Sequence, residues 1–377
     1  MAETTQLTPE LTDEKARIGS PSSPEKIAID GFTEEGENLS PTNTGAEQHG
    51  LKKHSHGDDP VVPEASRGER LKSYKLADFP PLTGREEDWR FTPIKRLRGL
   101  HTDALTGSGP EVTVSGASNI LVETVERTDS RFGSAAIPED RVAAAAWEAV
   151  TQATVVTIPD ETEADCDVTI SINGTDEAPA AQHLIISAGK FSKAVVVLDH
   201  HGKPTLAQNI EIVVGDGAQL TVVSVQEWDD DAVHASSQQA KIGRDARFKH
   251  VVVTLGGDLV RLTPSSFFTA PGSEVEMYGL YFADAGQHLE QRLLVDHAVP
   301  NLEIETGLIE GAGHASATGR FDDEHLFYLM ARGIDEKTAR RLVVRGFLNE
   351  VIQQIKVPVL EERLTEAVER ELAAGNY

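Results

Sequence analysis

The chain has 377 residues, of which 39% are hydrophobic and 5% aromatic, and its formal net charge is −26. This composition is typical of a folded protein, and the negative charge repels phosphate backbones and anionic lipids, which excludes nucleic acid and membrane surfaces as expected partners. One cysteine excludes an internal disulfide, and no signal segment or membrane-spanning apolar run is found, so the sequence predicts a cytoplasmic protein.

Residues 1–62 are acidic and rich in Ser, Thr and Pro, with twelve acidic and five basic residues. Large apolar residues are too sparse there to offset the entropy of ordering, which predicts a disordered tail. Residues 63–150 follow as a mixed, partly helical region. In it, "AAAAWEAV" at 143–150 is typical of a helix, and the acids Glu86 to Asp88 are predicted to begin another, because acids favour helix N-termini.

An internal repeat dominates the middle of the chain. The segments "VGDGAQLTVVS", "IGRDARFKHVV" and "APGSEVEMYGL" each join a glycine turn to an alternating apolar strand. They place Leu220, Phe248 and Val275 in equivalent positions, 28 and 27 residues apart. Strands this short bury a face only when neighbouring repeats stack, which is the behaviour of a solenoid.

The fold class predicted from this repeat is mainly β, with a parallel β-helix over residues 151–320. A meander of hairpins is the alternative. It is disfavoured because Asn-Gly and Asp-Gly doublets are too few for a two-residue turn at every join.

Residues 321–377 are predicted to form a helical domain. A helix through "EHLFYLMAR" is expected to end at Gly333 in a Schellman cap, and Asp335 is a suitable N-cap for the next helix. That second helix carries an apolar stripe of Ala339, Leu342, Val343, Gly346, Phe347, Val351 and Ile355. The stripe fits either the end of the solenoid or a partner protein.

The common catalytic signatures are missing from the chain: no phosphate-binding loop, nucleophile elbow, H-E-x-x-H or paired C-x-x-C occurs. Three polar groupings remain, namely "WDDDAVH" at 228–234, "VDHAVP" at 295–300 and "GAGHASATG" at 311–319. The first two are more typical of solvated turns than of metal sites. In the third, small residues surround His314, whose neutral imidazole is a good ligand for iron, zinc or copper.

Three stretches, "EEDWRFT", "YFADAGQHLEQRLLVDHAVP" and "GHASATGRFDDEHLFYLMARGI", resemble the SufB/SufD family of iron–sulfur cluster assembly scaffolds. The short length and the lack of a cysteine near His314 resemble the SufD side of that family. The resemblance implies a right-handed parallel β-helix with a C-terminal helical domain.

The same resemblance implies partners and site residues. The partners are a SufB-like scaffold and a SufC-like ATP-binding-cassette ATPase. His314 is implied to contribute to a nascent iron–sulfur cluster shared with the SufB-like partner, with no cofactor bound by this chain alone. The ATPase is implied to dock at 321–377, on the helix pair that carries Phe327, Tyr328, Leu329, Arg332, Gly333 and Phe347.

The chain departs from the family pattern near residue 300. There a "VDHAVP"-like segment merges with a "VPNLEIETG"-like one, as though roughly 60 residues, or about two coils, were missing. The missing coils belong near the end that would face the SufB-like partner.

The resulting prediction is a non-catalytic assembly scaffold. Two alternatives from other classes are open. One is a β-helix enzyme acting on carbohydrate, which requires export and several acids on one solenoid face. The other is a homo-oligomeric solenoid in which His314 only satisfies a buried hydrogen bond.

Overall fold

The computed structural model describes residues 70–135, 137–283, 286–296 and 323–374. Within these ranges the chain forms fourteen β-strands and four α-helices. The strands are β1 Glu111–Ser115, β2 Leu121–Glu126, β3 Gln152–Ile158, β4 Val168–Gly174, β5 Pro179–Ala188, β6 Lys193–Gly202, β7 Thr205–Val214, β8 Gln219–Trp228, β9 Val233–Ile242, β10 Arg247–Thr254, β11 Leu259–Phe268, β12 Glu274–Tyr281, β13 His288–Gln291 and β14 Leu294–Asp296. The helices are α1 Arg141–Ala149, α2 Asp323–Ala331, α3 Glu336–Ile352 and α4 Pro358–Ala374.

The strands build a parallel β-solenoid. Sheet A has the order β1-β4-β6-β8-β10-β12, and sheet B the order β13-β11-β9-β7-β5-β3-β2, with β14 also paired to β11. From β4 onward the chain alternates between the two sheets, so each pair of consecutive strands makes one of about five coils. The predicted β-helix is confirmed, and the hairpin meander is wrong because the stacked strands pair in parallel.

The register confirms the repeat read from the sequence. Phe248 on β10 pairs with Leu220 on β8 and with Val275 on β12. Alternation then points Phe248, His250 and Val252 into the interior and the intervening residues outward. Each coil therefore adds one layer to a common core.

The interior of the solenoid is mainly aliphatic. Leu198, Ile210, Val222 and Leu262 are almost fully buried in it, together with many alanine, valine and isoleucine side chains. Burying a side chain of this size contributes roughly 1.5–3 kcal/mol relative to leaving it exposed. Stacking is close at the turns: Gly202, with φ 91°, pairs with Gly174, and a Cβ on Gly202 would lie 2.1 Å from the Gly174 carbonyl oxygen.

The C-terminal helices cover the outer face of sheet A. Val223 and Val251 point outward from it and pack in one cluster with Leu348, Ile352 and Leu364 of α3 and α4. The helices thus bury the flank of the solenoid. The sequence had left open whether their apolar stripe packs against the end of the solenoid or against a partner protein. The helices pack on the flank because the central outward positions of β8 and β10 are valines, which make this flank apolar.

The N-terminal region covers the outer face of sheet B. Trp89, Leu97 and Leu100 are buried there beside Ala207 and Leu259. The predicted helix at 143–150 is confirmed as α1, which begins after Asp140; the Asp140 carboxylate accepts a hydrogen bond from the Ala143 amide at 2.8 Å.

The helix predicted to begin at Glu86 does not form. Residues 86–91 make turns, and the Trp89 amide bonds to the Glu86 carbonyl at 3.0 Å. The Glu86 carboxylate instead closes a loop by accepting from the Thr83 hydroxyl, at 2.7 Å, and the Thr83 amide. The Thr83 hydroxyl bond lowers the Glu86 pKa to about 2. Local side-chain hydrogen bonds of this kind offer the backbone an alternative to the helix.

The helix ends predicted around Gly333 are confirmed. Gly333 has φ 86°, and the Ile334 amide bonds back to the Leu329 carbonyl at 3.3 Å, as in a Schellman cap. The Asp335 carboxylate then accepts from the Thr338 amide at 3.0 Å and begins α3. Among the helices of the described ranges, none is long and apolar enough to cross a membrane.

Candidate functional site

Two of the three polar groupings predicted from the sequence lie largely outside the described residues. His314 and its small neighbours fall within 297–322. His297, from the "VDHAVP" grouping, lies there as well. The prediction that His314 is a cluster ligand is therefore untested by the structure.

The grouping at 228–234 is described and forms no cation site. Asp229, Asp230 and Asp231 lie in an exposed turn between β8 and β9. His234 points the other way, into the interior, where it is fully buried. The three carboxylates and the His234 imidazole therefore do not share a site. A cluster of acids beside a histidine was the feature that favoured a carbohydrate-active enzyme, and it does not form here.

The hairpin of α2 and α3 exposes large apolar side chains. The exposed fractions are 72% for Phe327, 53% for Tyr328, 42% for Met330 and 44% for Phe347. Each is at or near a residue implied to bind the ATPase. Exposed aromatic side chains concentrated on one short element are typical of protein-binding surfaces.

The other residues implied in partner binding have structural roles in the hairpin. The Arg332 guanidinium lies over the Tyr328 ring, 4.2 Å from its centroid. Gly333 makes the turn between the helices, and Leu329 is half-buried and supplies the carbonyl for the cap. We call this hairpin, with Phe327, Tyr328, Met330, Arg332 and Phe347 exposed, the hairpin surface.

A partly buried ion-pair cluster fastens α4 to the solenoid. Arg363 of α4 donates to Asp199 on β6 at 2.6 and 2.9 Å and lies 3.0 Å from Glu227 on β8. His201, two residues after Asp199 on the same outward face, lies 3.0 Å from the Asp199 carboxylate. We call these four residues the α4 latch.

The charges of the latch are matched. Burial alone would raise the Asp199 pKa, but the hydrogen bonds from His201 and Arg363 hold it well below its ordinary value. The bond to Asp199 in turn raises the His201 pKa. Asp199, His201 and Glu227 offer ligand atoms within 4.8 Å of one another, a spacing that could hold a metal. The Arg363 guanidinium already supplies the positive charge, so the geometry is that of an ion-pair anchor.

A second polar cluster lies inside the solenoid. The Gln208 amide oxygen on β7 is 3.3 Å from His200 Nε2, 3.1 Å from His234 Nε2 and 3.1 Å from the Ser236 hydroxyl. His200 Nδ1 donates to the Val225 carbonyl at 2.9 Å. Burial lowers the pKa of both histidines, that of His200 to about 4, so these rings are neutral near pH 7.

The N-terminal region braces the last described coil. Arg261 on β11 lies over the Trp89 ring at 3.9 Å and donates to Glu290 on β13, which also accepts from the Thr92 hydroxyl at 2.6 Å. Burial alone would raise the Glu290 pKa, yet His288 and Arg261 lower it to about 2. The "EEDWRFT" stretch thus acts structurally, by holding the coil that precedes residue 297.

Sequence reasoning missed the latch and the interior cluster. The interior histidines carry a weak signal, since His200 and His250 stand at apolar alternating positions of their strands. The α4 latch leaves no recognisable signal in the sequence, because Arg363 lies 164 residues from Asp199 and belongs to a helix rich in charged residues.

Comparison with known proteins assigns the family. A SufBD family iron–sulfur cluster assembly protein of Mycobacterium bovis is 43% identical over 370 residues, covering 81% of this chain and 93% of its own length. The chain belongs to the SufBD family. The SufBD core domain of the SUF iron–sulfur cluster assembly system also matches it, at residues 170–301 and 297–347. A SufBD family protein of Mycobacterium leprae is 42% identical over 370 residues, covering 81% of this chain and 94% of its own length. The SufD protein of Bacillus subtilis is 41% identical over 176 residues, covering 45% of this chain and 38% of that SufD.

The alignments also locate a break within the SufBD core. The alignment to the M. bovis SufBD protein has 370 positions, but 81% of this chain is only about 305 residues. About 65 aligned positions therefore have no residue of this chain. The two matched core segments meet at 297–301. That point is where the sequence pattern placed the roughly 60 missing residues.

Proposed function

We propose that this chain is a SufD-like, non-catalytic scaffold subunit of iron–sulfur cluster assembly. In this role it pairs with a SufB-like scaffold and docks a SufC-like ATPase. The chain supplies geometry, and the nascent cluster is cargo that it holds transiently through His314, with a thiolate from the SufB-like partner. This chain's own Cys166 is exposed between two acids, and desolvation and those acids raise its pKa, which makes it a poor thiolate donor.

The hairpin surface is the observation that carries the docking proposal. Aromatic side chains such as Phe327 and Phe347 gain by being buried against a partner, because their exposure to water is costly. The latch and the α3–α4 core hold this hairpin against sheet A. Movement of a docked ATPase would therefore be transmitted to the solenoid through α4.

The test is co-expression with the SufB-like and SufC-like proteins of the same host, followed by size exclusion with light scattering. Phe347→Asp is expected to weaken ATPase binding at least tenfold. Val359→Asp is the matched control, because Val359 is 81% exposed but lies at the start of α4, outside the hairpin surface. Equal loss in both variants, or no loss in Phe347→Asp, contradicts docking at this surface.

The cluster role is tested separately. His314→Ala is expected to leave the ATPase bound and to lower the cluster retained by the complex after anaerobic reconstitution, measured by absorbance and by iron and sulfide content. Unchanged cluster content in that variant contradicts a ligand role. A chain that binds neither partner contradicts the scaffold proposal as a whole.

A further inference from the structure

His250 is the exceptional polar residue of the solenoid interior. It is 1% exposed, and among the described residues neither of its ring nitrogens has a hydrogen-bond partner. Burial lowers its pKa to about 4, so the ring is neutral and carries one N–H group and one lone pair. Buried groups of this kind are ordinarily paired, and an unpaired one indicates a missing ligand or water.

The neighbouring interior histidines show what a purely structural role looks like. The Nδ1–H group of His200 donates to the Val225 carbonyl. His234 accepts from the Trp228 indole at 3.1 Å, and its Nε2 donates to the Gln208 amide oxygen. His250 only packs its ring near Phe248, with centroids 5.6 Å apart. Its environment therefore leaves both nitrogens available.

A thioether and a hydroxyl lie at the same level of the interior. In the register of sheet A, His250 pairs with Val222 on one side and with Met277 on β12 on the other. Adjacent strands lie about 4.8 Å apart, so the side chains of His250 and Met277 are neighbours. Across the interior, the Ser266 hydroxyl on β11 lies 3.7 Å from the Met277 sulfur.

The chemistry of these donors selects the ligand. Imidazole nitrogen and thioether sulfur are neutral and relatively soft, and thioethers favour Cu(I). The surroundings are apolar, with Val222, Val252 and Phe248 in the core, and among the described residues no carboxylate points into this part of the interior. A divalent ion would therefore bring two unbalanced charges there, and a monovalent ion brings one. A monovalent soft ion meets both conditions.

We propose that His250 and Met277 form a binding site for a monovalent soft metal ion of the Cu(I) type, with the Ser266 hydroxyl beside it. Met277 is only half-buried, because β12 is the last strand of sheet A within the described residues. The sulfur is thus the outermost donor of the site and the first that an entering ion meets. This proposal does not depend on the scaffold role.

Methionine methyl NMR gives a direct test, because the chain has three methionines, Met1, Met277 and Met330. The protein is labelled at the methionine methyl groups in a Cys166→Ser background, which removes the exposed thiol. One equivalent of Cu(I), added anaerobically as its acetonitrile complex, is expected to shift the Met277 signal and leave that of Met330 in place. Met277→Leu assigns the signal and preserves the side-chain volume.

Affinity is measured by competition with bathocuproine disulfonate. Met277→Leu is expected to weaken Cu(I) binding at least tenfold, while Met330→Leu, on the hairpin surface, changes it less than twofold. His250→Phe, checked for native circular dichroism, is expected to abolish the shift of the Met277 signal. An unmoved Met277 signal, or equal affinity in Met277→Leu and its parent, overturns the proposal and leaves water as the partner of His250.

Discussion

Arg363 on the C-terminal helix and Asp199 on strand β6 form a two-pronged ion pair, with nitrogen–oxygen distances of 2.6 and 2.9 Å. The Asp199 side chain is 10% exposed and the Arg363 side chain 38%, so the pair sits at the edge of the helix–sheet contact. The two elements it joins are the solenoid and the helix next to the hairpin surface. Together with the apolar contacts of α3 and α4, this pair therefore helps to hold that surface on the solenoid.

Breaking the latch is expected to loosen α4. Arg363→Met removes the cation and leaves Asp199 and Glu227 facing one another, which is expected to cost about 2 kcal/mol of unfolding free energy, discounted for the exposure of Arg363. Hydrogen exchange should rise in α4 before it rises in sheet A. Arg340→Met is the control, because its pair with Glu336 is exposed along one helix, and it should cost under about 0.5 kcal/mol.

The interior histidines predict a loss of stability in mild acid. Their pKa values in the folded chain are depressed, to about 4 for His200 and His250, whereas an unfolded histidine titrates near 6.5. The unfolded chain therefore binds more protons as the pH falls below about 6.5, and stability drops until the folded pKa is reached. At pH 5 each of these rings is expected to cost about 2 kcal/mol relative to pH 7.5.

Urea unfolding at pH 7.5 and pH 5 measures this effect. His250→Phe should reduce the difference between the two pH values by the share of one histidine. His201 acts in the opposite sense, because its pKa is raised: its contribution is complete below about 6.5 and is lost as the pH rises through the folded value. An unchanged pH dependence in His250→Phe would show that folding does not lower the pKa of this ring.

Substitutions of two neighbouring residues of α3 should distinguish a residue that serves partner binding from one that serves folding. Phe347 is 44% exposed and Leu348 is 4% exposed. Phe347→Ala is expected to change the unfolding free energy by less than about 0.5 kcal/mol, whereas Leu348→Ala should cost about 2–4 kcal/mol through the cavity it leaves. Thermal unfolding measures both, and a large loss in Phe347→Ala would place that side chain in the core.

The brace on the last coil is expected to depend on Arg261. Its side chain is 4% exposed, and Arg261→Met leaves the Glu290 carboxylate without its cation, at a cost of about 3 kcal/mol. The loss should appear as faster hydrogen exchange in β13 and in residues 88–92. Arg247→Met, at an exposed pair with Glu274, serves as the control and should leave both segments protected.

The parts of the fold that follow from local rules were predictable. The 28-residue repeat determines the strand register, and Gly333 with Asp335 determines the break between α2 and α3, because each signal lies within a few residues. The helix expected at Glu86 does not form, because the Glu86 carboxylate closes a loop with Thr83. Local helix propensity does not show which of these two structures a glutamate will adopt. The stripe of the second C-terminal helix was assigned as one surface. In the structure α3 ends at Ile352, and tertiary packing buries Ile355 beyond its end and exposes Phe347.

The candidate site was predictable only in part. The hairpin surface could be named because its residues are close together in the sequence and resemble a family pattern. The α4 latch and the neighbours of His250 come from strands and helices far apart in the chain, so only the folded coils bring them together. The role of His314 stays a prediction, as residues 297–322 lie outside the described ranges.

The length of the solenoid is set by the number of stacked coils. Each coil advances the solenoid by one strand spacing, about 4.8 Å, and contacts mainly the coils on either side of it. Leaving out two coils therefore shortens a solenoid of this kind by about 10 Å without disturbing the layers already in place. In such a molecule the insertion or loss of whole coils changes the length of the solenoid in steps of one strand spacing.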